Sequence, residues 1–165
     1  MLDIAPTRAM YGATDMIFAK AYYHWFFLIQ PYPYPENMIT ANPEAFMEHH
    51  MKAQLGRDVF DAECYDSYLE MMKDPDTVHA MCEDYRAGAS IDMEEHGRDE
   101  EEGRKIQCPL MVLWGKHAVV ERFDAVGEWR KVSTNSVEGE SVDCGHYIPE
   151  EAPEGLVQKV LEFFK

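Results

Sequence analysis

The chain has 165 residues, 46% of them hydrophobic, enough for one globular unit with a real core. Fifteen Lys and Arg against 31 Asp and Glu leave a formal charge of −16, which argues against a nucleic-acid or anionic-membrane partner, since either needs a basic face. The same charge repels small anions at long range, although salt screens that beyond about 10 Å, so an anionic substrate needs a local cationic clamp. The four cysteines, Cys64, Cys82, Cys108 and Cys144, form no C-x-x-C pair and are too sparse for a disulfide scaffold. They read as reduced thiols of a cytoplasmic protein. Residues 1–6 lack the basic and long apolar regions of a signal peptide. The longest apolar block, around Phe26, is far too short to span a bilayer.

In chain order, residues 1–4 read as a buried strand halted by Ala5-Pro6, and residues 7–12 as a turn or short helix. Residues 14–30 have helical spacing, with Ile17, Ala21, Phe26 and Leu28 among the apolar positions, and Pro31 as the stop. Asn42-Pro43-Glu44 is a helix start, with Asn as cap and Pro in the first turn, and that helix is expected to end at Leu55-Gly56. Asp61 opens another helix, and Asp74-Pro75-Asp76 a third that carries Val78, Met81, Cys82 and Tyr85. The acidic run of residues 92–102 is expected to be a solvated helix end or loop.

Past that run the pattern changes. Residues 106–115 are a continuous apolar run ending in Gly, the signature of a buried parallel strand. A helix is expected over residues 123–131, a strand over 136–143, and a final helix over 151–165 with Leu156, Val157, Val160, Leu161 and Phe164 on one stripe. This order is that of a parallel α/β sheet with helices inserted between two strands as a lid.

Two places carry chemistry. In open parallel sheets ligands sit beyond the carboxyl ends of strands, where Asp3, Lys116-His117 and His146 fall. A carboxylate that holds an imidazole tautomer lets the ring take a proton from water. The other place is Tyr22-Tyr23-His24-Trp25-Phe26-Phe27, where adjacent His24 and Trp25 offer two ring N–H donors in an apolar wall, suited to a small desolvated anion. Such a block also reads as plain aromatic core, and Tyr85 as simple helix packing. His49-His50, His79, His96 and His117 read as surface residues, and no zinc, phosphate-loop or dinucleotide motif is present.

The segment Asp143-Cys144-Gly145-His146-Tyr147-Ile148-Pro149-Glu150-Glu151-Ala152-Pro153-Glu154 resembles the catalytic-histidine segment of the α/β-hydrolases. More narrowly, Leu2-Asp3-Ile4-Ala5-Pro6-Thr7, Tyr22-Tyr23-His24-Trp25-Phe26-Phe27-Leu28-Ile29-Gln30, Cys82-Glu83-Asp84-Tyr85-Arg86-Ala87 and Leu113-Trp114-Gly115 together resemble the haloacetate (fluoroacetate) dehalogenases, end to end. The resemblance implies displacement of halide by an aspartate, followed by hydrolysis of the aspartyl ester. It implies His146 as the base that activates water, Asp3 as its acid, and His24, Trp25 and Tyr85 as the halide-binding donors. No cofactor is implied. The acid of many other α/β-hydrolases follows the next strand, but here Lys116-His117-Ala118-Val119-Val120 supplies no carboxylate before Glu121.

The family's nucleophile sits on an elbow of the form Gly-x-Nu-x-Gly. Neither Gly139-Glu140-Ser141-Val142-Asp143 nor Gly97-Arg98-Asp99-Glu100-Glu101 supplies one. The expected fold is therefore a partial α/β-hydrolase with its amino-terminal half absent: residues 1–10 as core strand and lead-in, 11–90 as helical cap, and 91–165 as the carboxyl-terminal part of the core. Such a chain is expected to be inactive alone, with an open sheet edge and an exposed apolar patch. The implied partners are a haloacid substrate and the missing half of the hydrolase, with a homodimer left open. Two alternatives stand beside this reading. One is an epoxide hydrolase using Tyr22, Tyr23 and Tyr85 as donors. The other is a non-catalytic interaction module.

Overall fold

The computed structural model describes residues 1–52 and 59–165. The chain divides into two compact units, one formed by Met1–Thr14 with Glu95–Lys165 and the other by Asp15–Glu94.

The first unit is α/β. Strands β1 (Leu110–Gly115) and β2 (Val137–Val142) pair in parallel, with Leu110 opposite Val137 and Gly115 opposite Val142. Around them lie α1 (Thr7–Gly12), a 3₁₀ turn at Val119–Arg122, α9 (Ala125–Lys131), α10 (Ile148–Glu151) and α11 (Pro153–Phe163). The strand expected at residues 1–4 is reduced to one parallel bridge, Leu2 to Leu113. Its bonds run from Leu113 N to Met1 O at 2.9 Å and from Asp3 N to Leu113 O at 2.7 Å. Pairing stops there because Asp3 takes a left-handed backbone, φ 47°, which swings the chain off the sheet. Pro6, with no N–H, could not resume the ladder. Beside β1, Leu113, Cys144 and Ile148 are buried together, with Met111, Val142, Ala152 and Leu156 packed against them.

The final helix is split. Ala152 leaves the helical region (φ −141°, ψ 50°) because the ring of Pro153 crowds the residue before it. The stripe on α11 also departs from expectation: none of its residues is buried, and Val157, Leu161 and Phe164 are 55%, 62% and 79% exposed. The spacing is amphipathic, yet it is Leu156 that packs on the core beside β1, while Val157, Leu161 and Phe164 meet solvent.

The second unit is helical: α2 (Met16–Ala21), α3 (Tyr23–Phe27), α4 (Tyr34–Ala41), α5 (Pro43–Met47), a π-helical turn at Glu48–Lys52, α6 (Ala62–Met72) and α7 (Pro75–Gly88). α8 (Ile91–Glu102) runs across the division between the units and buries no residue, as a solvated acidic helix should. The three polar starts act as caps. Asn42 accepts from Ala45 N, Asp61 from Glu63 N and Cys64 N, and Asp74 from Asp76 N. The end expected at Leu55-Gly56 lies outside the described residues.

Two differences matter here. The single helix over residues 14–30 breaks at Tyr22 (φ −113°, ψ 43°). Tyr, His, Trp and Phe are mediocre helix formers, and the break leaves Tyr22 buried against both His24 and Trp25. The proline–tyrosine run after Gln30 also begins α4, because Pro35 in the first turn loses no intrahelical bond. The core of this unit is Leu28, Ile39, Val78 and Cys82, flanked by Phe27, Phe46, Met72, Met81 and Tyr85. Burying such an aliphatic side chain contributes roughly 1.5–3 kcal/mol. Burial also pushes the Cys82 thiol up to about 11, so it packs as an inert apolar group.

Among the described residues, no helix is long and apolar enough to cross a membrane.

Candidate active site

In the α/β unit, Asp3 and His146 meet although they are 143 positions apart in the chain. Asp3 Oδ2 lies 2.5 Å from His146 Nδ1, and Asp3 Oδ1 accepts the Gly115 N–H at 2.8 Å. The Asp3 side chain is 1% exposed and that of His146 31%. A dry carboxylate therefore holds a ring that solvent can still reach. With the proton on Nδ1 facing Asp3, Nε2 is the basic nitrogen, and the carboxylate stabilises the imidazolium formed when it takes a proton.

The left-handed backbone at Asp3 aims both carboxylate oxygens inward, one at β1 and one at the histidine loop. Asp tolerates that conformation better than most residues. Gly115 is needed at the end of β1 for a different reason. A Cβ there would lie 2.0 Å from Gly145 O and 2.9 Å from Cys144 O, both in the loop that bears His146. Gly115→Ala is expected to push that loop away and to cost about 1–3 kcal/mol, read as a lower melting temperature. Retention of the parent melting temperature would contradict this close packing.

Two other ionisable groups near the strand ends are engaged elsewhere. His117 is exposed and pairs with Asp143 at 2.8 Å. Glu121, the first carboxylate after β1, accepts from Trp114 Nε1.

In the helical unit, His24 is 3% and Trp25 8% exposed, while Tyr85 is half-buried. The rings of His24 and Tyr85 meet edge to face, with centroids 5.8 Å apart. Trp25 packs on Phe18 at 5.6 Å. Tyr22 touches both His24 (5.2 Å) and Trp25 (5.8 Å), joining the two halves of the wall. His50, expected at the surface, is half-buried instead. It stacks on Phe46 and sets its ring 4.5 Å from that of His24. Adjacent His49 is exposed, as expected. Alternation of polar residues gave no signal for His50, because the π-helical turn shifts its direction relative to an α-helical count.

A third cluster brings possible ligand atoms of Glu36, His79 and Glu83 within 4.8 Å of one another. Arg86 already supplies its cation: Nη1 donates to Glu36 at 2.7 Å and to Glu83 at 2.6 Å, while Nε and Nη2 donate to Gln30 O. This is a structural clamp between α4 and α7.

No protein-family model matches the chain. Over 99% of its length it is 36% identical to a fluoroacetate dehalogenase of Burkholderia sp., covering 54% of that protein. Over 65% of its length it is 30% identical to a soluble epoxide hydrolase of Corynebacterium sp. (strain C12), covering 35% of it. A crystal structure described as a candidate acyltransferase of Salmonella enterica matches with a TM-score of 0.92 and 42% identity, over 99% of this chain and 54% of that one. A candidate α/β-hydrolase from Nostoc sp. PCC 7120 matches with a TM-score of 0.90 and 45% identity, over 99% of this chain and 56% of that one. The chain thus spans about half the length, or less, of the curated relatives it matches. Together with the parallel strands and the histidine loop that follows them, these likenesses place the chain in the α/β-hydrolase superfamily, where it corresponds to the carboxyl-terminal portion of the fold.

Proposed function

We propose that this chain carries the acid–histidine pair and the halide-binding donors of a hydrolase that dehalogenates haloacetates. The observation that carries the reading is the buried Asp3 carboxylate on His146 Nδ1. The likeness to a fluoroacetate dehalogenase along the chain supports it.

In this reading an aspartate oxygen attacks the α-carbon and the carbon–halogen bond breaks. The halide leaves with the bonding pair, and an aspartyl ester remains. Water then attacks the ester carbonyl while His146 takes a water proton at Nε2, and Asp3 steadies the resulting imidazolium. The ester opens to the free aspartate and a hydroxy acid, whose leaving oxygen takes the proton back from His146. His24, Trp25 and Tyr85 donate to the departing halide. Charge develops there in the transition state, so preorganised donors in a dry site act strongly. The chain has no Gly-x-Asp-x-Gly elbow. The nucleophile is therefore assigned to a further portion, of the kind the longer relatives contain.

The test joins the chain to an upstream half bearing such an elbow and follows halide release. Tyr85→Phe removes one donor and is expected to slow fluoroacetate turnover by roughly 10²-fold. Chloroacetate should lose much less, since chloride is the weaker hydrogen-bond acceptor. Equal losses with both substrates would remove Tyr85 from the halide role, and no halide release with any elbow-bearing half would sink the reading.

A second reading, epoxide hydrolysis, is favoured by the Corynebacterium relative and by tyrosines in the same wall. Burial raises the Tyr23 phenol above its ordinary 10, keeping it a proton donor at neutral pH. Epoxide opening without halide release by the same assembly would select it.

A further inference from the structure

The geometry points to Glu151 as the positioning residue that fixes His146 against Asp3. This rests on the acid–histidine reading of those two residues. His146 sits in a short link between β2 and α10, and the sheet ladder ends before it, at Val142. The N–H groups of the two residues flanking the histidine are held by one side chain. Glu151 Oε2 accepts the Gly145 N–H at 2.7 Å, and Glu151 Oε1 accepts the Tyr147 N–H at 3.1 Å. The backbone closes the ring, because Glu151 N donates to Tyr147 O at 2.9 Å. Tyr147 and Glu151 are thus bonded in both directions across one helical turn, as in a capping box reached from one residue farther along.

Charge-assisted bonds of this kind are the stronger class, and both are spent on the residues flanking His146. Cys144 and Ile148, just outside the clamped peptides, are fully buried and would hold the loop ends without Glu151. By fixing the backbone on both sides of His146, the carboxylate sets the direction in which the ring leaves the chain. Glu151→Gln keeps the reach but offers one acceptor oxygen and turns an NH₂ toward a backbone N–H. Glu151→Ala removes both acceptors.

The test is proton NMR of the chain itself, following the His146 Nδ1 proton and the amides of Gly145 and Tyr147. In the parent a low-field Nδ1 proton is expected, assigned by its loss in Asp3→Asn. In Glu151→Gln its exchange with water is expected to quicken about tenfold or more. The Gly145 and Tyr147 amides should lose protection while those shared by β1 and β2 keep theirs. A purely structural role would expose the strand amides as well. Should Glu151→Ala fail to fold, Glu151→Gln carries the comparison. An unchanged Nδ1 proton in Glu151→Gln, with the amides still protected, overturns the proposal. If the parent shows no Asp3-dependent proton, the acid–histidine reading falls and the positioning role falls with it. Loss of protection at the two amides would then mark Glu151 as a loop anchor only.

Discussion

Replacing Asp3 by Asn is expected to slow ester hydrolysis by roughly 10²- to 10⁴-fold while leaving the fold in place. The amide is nearly the size of the carboxylate, and its oxygen can still accept the Gly115 N–H that Asp3 Oδ1 accepts now. What remains toward His146 is then an NH₂ donor where an acceptor stood. The imidazole answers by turning its unprotonated nitrogen inward, so Nε2 carries the proton and no longer acts as a base. Even with the ring in place, the imidazolium would lose the charge that stabilises it. Halide release, the first half of the proposed reaction, does not use the pair and should survive. The check is single-turnover kinetics in an assembled hydrolase, with a thermal melt to confirm folding. A variant that hydrolyses its ester at the parent rate would remove Asp3 from the acid role.

The second large effect concerns stability. Arg86→Met is expected to cost about 3–5 kcal/mol, because it strands a carboxylate in a dry place. Glu36 is 6% exposed, and its two oxygens take bonds from Arg86 at 2.7 and 3.1 Å, with His79 Nδ1 at 3.2 Å from the first of them. The Arg86 hydrogen bonds are the main reason that the Glu36 carboxyl is held from its ordinary 4.5 down to about 2. A depressed carboxyl contributes stability that is fully present above its unfolded value and lost as it protonates in the fold. The contribution is therefore intact above pH 4.5 and disappears between there and about pH 2. Denaturant unfolding between pH 7 and 2 should show this slope in the parent. The Met variant should be less stable at pH 7 and flatter across the acid window. Equal stability of the two at pH 7 would show the clamp to be idle.

How much of this could be read from the residues varies with the distance over which the cause acts. Helix starts at Asn42, Asp61 and Asp74 were legible because a cap is a local device: one side-chain oxygen and an N–H two or three residues on. The strand Leu110–Gly115 was legible because a strand buried on both faces needs an unbroken apolar run. Its expected beginning at Ile106 was early. Ile106 makes only an isolated bridge to Ser133, and Pro109 cannot donate to a ladder.

The break at Tyr22 was hidden, since no glycine or proline marks it and its cause is ring packing with His24 and Trp25. The proline run after Gln30 looked like a terminator but also begins α4, because proline signals a stop and a first turn alike.

For the site, Asp3 and His146 each had a reason to lie at a strand end, but no local pattern joins residues so far apart. Their shared place at the strand ends suggested an acid–base pair, and resemblance to a family gave each its role. Gly115 was read as the end of a strand; its closeness to the Gly145 carbonyl is a contact between loops that no spacing reveals. Glu151 stood in the histidine segment without a role, because a carboxylate that folds back onto backbone N–H groups looks in sequence like any acidic helix residue. The stripe on α11 had the spacing of a buried face, yet amphipathic spacing states only that a face is apolar, not how much of it is covered: Leu156 meets the core, while Val157 and Leu161 do not.

The most direct measurement of the central claim is the intact mass of an assembled hydrolase, with His146→Ala in this chain, after exposure to fluoroacetate. The expected result is one equivalent of fluoride released in a single burst, and a protein heavier by one carboxymethyl group on the nucleophilic aspartate, because the ester forms but cannot be hydrolysed. Continued turnover at the parent rate with no adduct would contradict the role given to His146 and, with it, the account of the site.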